Sequence, residues 1–227
     1  MHKRRVFTLG LCFFIFSFSN ISGQSAVGIN LGLNNAKFSG DQPTRGWIGL
    51  NRGFTIGGNY SYRLSQAFSL QTGINWDRIT GSYHWVDTTD LEEKDSMEYE
   101  IRGVSIPLNV AVWTENGRFY VTAGIRITSP SYFKGHHTDY SVDFKDEVRK
   151  YLFSAEFSAG FIVPLGTSHL FFDLIYSQGL TDLNRRIHDF EVSKFPRTKI
   201  FSVRFQMGIR FPLGAEDRFT VTKTNKQ

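Results

Sequence analysis

Period-two alternation of apolar and polar residues recurs eight times along this chain, the pattern of a strand with two unlike faces. In residues 27–34 the odd positions are apolar and the even ones are Gly or Asn. Residues 54–64 set Phe54, Ile56, Tyr60, Tyr62 and Leu64 against Thr55, Gly57, Asn59, Ser61 and Arg63. Residues 68–78 set Phe68, Leu70, Ile74 and Trp76 against Ser69, Gln71, Gly73, Asn75 and Asp77. The pattern continues through 104–113, with Val104 to Val112 opposite Ser105, Pro107, Asn109 and Ala111, and through 118–128, where Arg126 falls on the polar side. Residues 153–163 place Glu156 on the polar side, and 169–179, the least regular segment, place Asp173 and Ser177 there against Phe172, Leu174 and Tyr176. In 200–211, Phe201, Val203, Phe205, Met207, Ile209 and Phe211 oppose Ser202, Arg204, Gln206, Gly208 and Arg210.

Most segments run about 10 or 11 residues, the length of a tilted strand crossing a bilayer, whereas strands of soluble proteins are nearer five or six. The polar faces carry Arg63, Asp77, Arg126, Glu156, Asp173, Arg204 and Arg210. A soluble barrel such as a lipocalin, with the aromatics as its core stripe, would bury all of these charges at a cost. With apolar side chains toward lipid and polar ones inside, the conflict disappears. The connections agree. Those around 65–67, 114–117 and 164–168 are short and turn-like, including Asn116-Gly117. Those around 35–53, 79–103, 129–152 and 180–199 are long and polar. Short turns at one rim and long loops at the other are the outer-membrane signature, and eight strands put both termini at the short-turn, periplasmic rim. Aromatics fall where interfacial girdles are required. Tyr62, Phe68, Trp113, Phe119, Phe161, Phe171 and Phe211 are expected at the periplasmic rim, and Phe54, Trp76, Phe153, Tyr176 and Phe201 at the outer one. The pattern therefore predicts an all-β fold, an eight-stranded antiparallel up-and-down transmembrane β-barrel over residues 25–213. Pro107 lacks a ladder donor, so a break or bulge is expected there. The shift from Met97, Tyr99 and Ile101 to Val104 and Ile106 implies a second irregularity near Gly103. The inward glycines Gly57, Gly73, Gly124, Gly160 and Gly208 fit a crowded lumen.

Residues 1–24 read as a cleaved secretory signal: basic His2 to Arg5, an apolar run from Val6 to Phe18, then small and polar residues. Leu9-Gly10-Leu11-Cys12 approaches a lipidation box, but Leu11 is too large before the Cys and the apolar run continues past it. With the leader gone no Cys remains, and the formal charge of +5 falls by the three leader cations. The apparent basicity is therefore partly a targeting signal and supports no nucleic-acid partner. No further apolar stretch reaches the roughly 18 residues of a spanning helix. Residues 214–227 read as a short polar periplasmic tail.

Gly28-Ile29-Asn30-Leu31-Gly32-Leu33-Asn34, Phe68-Ser69-Leu70-Gln71, Val104-Ser105-Ile106-Pro107-Leu108, Phe119-Tyr120-Val121-Thr122-Ala123-Gly124 and Tyr176-Ser177-Gln178-Gly179-Leu180-Thr181 follow one another in order. Together they resemble the PorT-type outer membrane β-barrel family across the whole mature chain. The resemblance implies a small outer-membrane barrel. Some members of that family take part in a protein secretion system, and it brings no catalytic motif.

An eight-stranded barrel is barely wide enough for its own side chains, so the interior charges suggest a plug. Counted from the periplasmic rim, Arg126 and Glu156 lie at similar heights on neighbouring strands and are expected to pair. Asp173 with Arg204 is a looser candidate. A salt-bridged fill and a narrow ion path are the alternatives. No nucleophile elbow or phosphate loop is present. His84, His136, His137 and His188 fall in or beside long loops, where His136, His137 and Asp139 are a weak metal set. No cofactor is expected. The loops carry acidic charge at Asp87, Asp90, Glu92, Glu93 and Asp95, mixed charge at Lys134, Asp139, Lys145 and Arg149, and basic charge at Arg185, Arg186, Lys194 and Arg197. Solvated tips and a protein-docking surface both fit. The reading is a non-enzymatic barrel at the cell outer membrane, structural or accessory to an envelope transport or secretion assembly, with a small ion or solute channel as the alternative. Its partners are outer-membrane lipids and other envelope proteins. A closed barrel is expected to migrate differently boiled and unboiled on a detergent gel, and identical migration with the protein soluble in the periplasm would sink the membrane reading.

Overall fold

A computed structural model describes residues 24–40, 46–86, 94–137, 141–143, 148–183 and 198–213. The expected leader and polar tail, Asp139, Lys145, His188 and most of the loop charges lie outside these residues. The described strands are β1 (Gln24–Gly40), β2 (Gly46–Arg63), β3 (Phe68–Val86), β4 (Lys94–Trp113), β5 (Phe119–His136), β6 (Ser141–Asp143), β7 (Leu152–Leu165), β8 (Ser168–Gly179) and β9 (Thr198–Leu213). Eight long strands pair antiparallel in chain order, and β9 returns to β1, with the ladder running from Ser25↔Leu213 to Gly40↔Thr198. The short β6 lies outside the ring and pairs only with the outer end of β5. The result is a closed up-and-down barrel. No described helix is long and apolar enough to cross a membrane, and a closed sheet satisfies every backbone group in lipid without one.

The short connections form as their sequences require. Gly117 and Gly166 adopt φ of 64° and 61°, the left-handed region open to glycine. Leu165 pairs with Ser168, so the β7–β8 turn is tighter than the sequence reading of 164–168. The regions read as long loops are different. β1 continues to Gly40, β2 already begins at Gly46, β3 runs to Val86, β4 begins at Lys94 and β5 runs to His136. Alternation persists there, but with the chemistry of its two faces exchanged.

In the lower band Ile29, Leu33 and Ile74 point outward at 65%, 68% and 62% exposure, while Asn30, Asn75, Asp77, Arg126, Glu156 and Arg204 are buried inside. An apolar belt of this size requires lipid around it. Above it the interior is apolar. Phe38, Tyr99, Ile101, Phe133, Val148, Leu152 and Leu183 form one buried cluster. On β4 the odd positions face inward throughout, from Tyr99 and Ile101 to Ser105 and Ala111; only their polarity changes. The irregularity expected near Gly103 is present as a register shift between Arg102 and Gly103, and the extra residue is on β5, where Arg102 pairs with Tyr132 and Gly103 with Pro130. At Pro107 the β3–β4 ladder breaks between Thr72↔Leu108 and Asn75↔Ser105 without a shift. Thr72 Oγ1 donates to Pro107 O at 2.9 Å.

Inward glycines face bulky partners across the ladder. Tyr120 pairs with Gly160 and Phe171 with Gly208, and a Cβ on Gly160 or Gly208 would overlap the Tyr120 or Phe171 ring. The glycines thus admit two aromatic side chains that an eight-stranded lumen otherwise has no room for. Gly160→Leu is expected to destabilise the barrel by about 1–3 kcal/mol through overpacking. Ala159→Leu, one residue away on the exposed outer face, should be near neutral. Urea unfolding in lipid vesicles, read as the unboiled gel band, checks the difference.

Candidate functional site

The barrel's centre is closed by four charged side chains from four strands. Asp77 stands on β3, Arg126 on β5, Glu156 on β7 and Arg204 on β9, each on the inward face dictated by alternation. Arg126 Nε donates to Glu156 Oε1 at 2.6 Å, and Arg126 Nη1 to Asp77 Oδ2 at 2.8 Å. Arg204 Nη2 donates to Glu156 Oε1 at 2.6 Å, and its Nη1 lies 3.7 Å from Asp77 Oδ1. Each carboxylate therefore meets both guanidinium groups in a closed ring of alternating sign. Hydroxyls complete it: Thr55 Oγ1 donates to Asp77 Oδ1 at 2.7 Å, Ser105 Oγ to Asp77 Oδ2 at 2.5 Å, and Arg126 Nη1 to Ser105 Oγ at 2.5 Å. All four charged side chains are at most 6% exposed. The ring carries no net charge, which is how four ions can share an interior that would heavily penalise any one of them alone.

Below the ring lies a polar cavity of about 40 Å³ bounded by Asn30, Asn59, Gln71, Asn75, Asn109 and Gln206 as well as Arg126 and Glu156. That is room for ordered water, which needs roughly 10–15 Å³. Glu156 Oε2 and the Asn109 and Gln206 carbonyl oxygens have no protein partner, so water there would satisfy them. A second cavity of about 30 Å³ lies above, lined by Asp77, Arg126 and Arg204 together with the apolar Ile79, Ile101 and Leu183. The ring is the partition between the two.

The periplasmic mouth is filled by aromatics and cations. Trp113 and Phe171, expected in the lipid-facing girdle, instead point into the lumen at 8% and 0% exposure. Trp113 Nε1 donates to Ser69 Oγ at 2.8 Å, its ring centroid is 4.5 Å from that of Tyr120, and Arg63 lies over it at 4.6 Å. Arg210 lies over the Phe171 ring at 4.3 Å, and Tyr120 Oη donates to Asp173 Oδ1 at 2.5 Å. An indole inside has a partner for its N–H, which the lipid face does not offer. Trp76, Phe119 and Phe211 do face outward, at 36%, 54% and 48% exposure. Tyr62 shares the outer face with its ladder partner Leu70 but is largely covered.

The structure thus brings Arg126 and Glu156 together and separates the other expected pair. Asp173 sits opposite Gln206, one step below Arg204, which pairs with Ile175. Arg204 turns to Glu156 and Asp77, and Asp173 to Tyr120. The place of Asp77 in the ring was missed because it meets Arg126 across the lumen rather than along a ladder, so counting heights on neighbouring strands does not find it. His136 and His169 stand at opposite rims, opposite Glu98 and Pro164 in their ladders. Among the described residues no three His, Cys, Asp or Glu side chains gather as a metal site.

The family model described as outer membrane protein beta-barrel domain matches residues 17–185. The fold is similar to that of the outer membrane protein OprG from Pseudomonas aeruginosa, with a TM-score of 0.50 and 10% identity over 85% of this chain and 97% of that one. Neisserial surface protein A gives a TM-score of 0.43 and 12% identity over 82% and 97%. Ail of Yersinia pestis gives 0.40 and 15% over 84% and 100%. At these identities the likeness shows the fold alone. No curated protein sequence matches the chain.

Glu156→Ala would leave Arg126 and Arg204 facing one carboxylate in a dry interior. Breaking a buried ion network from one side costs about 3–5 kcal/mol, so the variant's unfolding midpoint should fall well below the parent's, and Glu156→Gln should recover part of the loss. An unchanged midpoint for Glu156→Ala would mean that the ring contributes nothing to the fold.

Proposed function

The chain belongs to the outer membrane protein beta-barrel domain family, and from that premise we propose that it works as a sealed, non-enzymatic barrel, structural or accessory to an envelope transport or protein secretion assembly. It resides in the outer membrane. The observation that carries the reading is the filling of the lumen at three heights: the aromatic mouth, the neutral ion ring and the apolar cluster above it. A lumen packed in this way leaves no path for diffusing solutes. The parts available to a partner are then the outer face and the strands that rise beyond the apolar belt. The resemblance of the sequence motifs to those of PorT-type barrels, some of which serve protein secretion, supports the accessory role.

One observation favours a second reading, a narrow gated ion path: the two cavities are divided only by the ring. Planar-bilayer recording separates the two readings. The parent and Glu156→Ala are both expected to stay silent. Current steps in the variant alone would favour a gated path, and steps in the parent would overturn the sealed reading. Cells lacking the chain should be impaired in exporting secreted cargo; unimpaired export would remove the accessory role.

A further inference from the structure

The outward face carries a feature that neither the sealed lumen nor the fold requires. On six strands the apolar stripe gives way, at the outer end, to a cation: Lys37 on β1, Arg52 on β2, Arg78 on β3, Arg102 on β4, Lys134 on β5 and Lys199 on β9. All but Lys134 lie a step or two along their own stripes from the last exposed apolar residue. Arg78 follows Trp76, Arg102 precedes Val104, and Arg52 precedes Phe54. These five cations form a belt near one height, on the side opposite the short turns, which is the outer leaflet's headgroup level, and Lys134, opposite Glu100, stands further out.

The belt is most developed between β3 and β5. Arg78 and Arg102 are direct cross-strand partners, a like-charge pairing that destabilises a sheet unless something bridges it. Glu100, one step further out, is the bridge. Arg78 Nη2 donates to its Oε2 at 3.1 Å, and Arg102 Nε donates to its Oε1. Arg102 also lies over the Tyr132 ring at 4.6 Å, and Lys134 lies over the same ring at 5.3 Å. Glu100 is nearly covered, at 7% side-chain exposure, while Arg78 and Arg102 are each 40% exposed. One buried carboxylate thus holds two guanidinium groups side by side and presents them to solvent. Two guanidinium groups to one carboxylate leave the Arg78–Arg102 pair positive, next to a lipid-facing apolar band, whereas Lys134 stands between Glu100 and Asp143 in its two ladders.

We propose that this belt, and the Arg78–Arg102 pair above all, binds the phosphate groups of phosphorylated lipids in the outer leaflet. Continuity with the apolar band commits the occupant to a lipid: acyl chains lie along Trp76 and Val104 while the phosphate meets the paired guanidinium groups. Arginine suits this role because its planar fork donates two parallel hydrogen bonds to a phosphate.

The test places the purified full chain in phosphatidylcholine vesicles, in the same vesicles doped with bisphosphorylated lipid A, and in vesicles doped with dephosphorylated lipid A. The thermal unfolding midpoint is read on unboiled gels. Bisphosphorylated lipid A is expected to raise the parent's midpoint, and added salt should shrink the rise. The double variant R78Q/R102Q should require roughly tenfold or more lipid A for the same rise, while Arg118→Gln, at the periplasmic turn, keeps the parent's response. If the double variant does not fold, Arg102→Gln alone, which leaves Glu100 its bond to Arg78, carries the same expectation in weaker form. An equal rise with dephosphorylated lipid A, or a full rise in R78Q/R102Q, overturns the proposal. A rise reproduced by inorganic phosphate in undoped vesicles would also overturn it, as a site for a free anion.

Discussion

The ladder between β1 and β9 is the constraint on which the rest depends. It joins the two ends of the strand series from Ser25↔Leu213 to Gly40↔Thr198, and without it two strand edges would stand unpaired in hydrocarbon, where each orphaned backbone group costs several kcal/mol. Closure at eight strands then fixes the width of the interior. A lumen so narrow has no room for both large side chains and a water column, so its contents are decided residue by residue. Glycine stands where a ring crosses, as at Gly160 and Gly208, and at the centre charges enter in neutral combination, as in Asp77, Arg126, Glu156 and Arg204.

Much of this was legible from alternation alone. A period of two assigns every residue of a strand to a face, and the inward sets written from the sequence are the inward sets of the structure. Trp113 shows what happens when a second rule is allowed to override the first. It continues the series Ser105, Pro107, Asn109 and Ala111, so alternation already placed it inside. The expectation of an aromatic girdle moved it to the lipid face. Phe171 belongs in the same way with Asp173 and Ser177. Register alone did not decide the pairs. Glu156 stands opposite Gly124 and Asp173 opposite Gln206, each one inward step from the arginine it was matched with. Arg126 nevertheless reaches Glu156, while Arg204 turns to Glu156 and Asp77 and leaves Asp173 to Tyr120. The ring's cross-lumen contacts depend on several registers at once and on the shear of the closed sheet, which no single hairpin encodes.

The extended strands show how one backbone serves two solvents. On β4 the odd residues face inward from Tyr99 to Trp113, yet the apolar side chains are inside above Gly103 and outside below it. The backbone does not need to change; the medium outside it does. Where lipid surrounds the wall, apolar side chains belong outward and charge must be hidden within. Where water surrounds it, the ordinary preference returns, and Phe38, Tyr99, Ile101 and Phe133 pack into a core beneath Glu98, Arg102 and Lys134. Polar residues in 79–103 look like a loop when judged by composition, because that stretch was compared with the lipid-facing pattern rather than with a soluble strand.

The level at which polarity exchanges is also the level at which cations gather. Arg78 and Arg102 lie immediately past Trp76 and Val104, where the outer surface leaves hydrocarbon. A guanidinium group there is close enough to low-dielectric material for its electrostatics to be strong and close enough to water to avoid the cost of burial. Inside, two arginines are neutralised by two carboxylates and leave no field for a passing ion. Outside, two arginines share one carboxylate and remain positive. The same residue type is thus spent in opposite ways on the two faces of the wall: the centre of the lumen is made neutral, and the outer rim is left charged toward whatever lies against it.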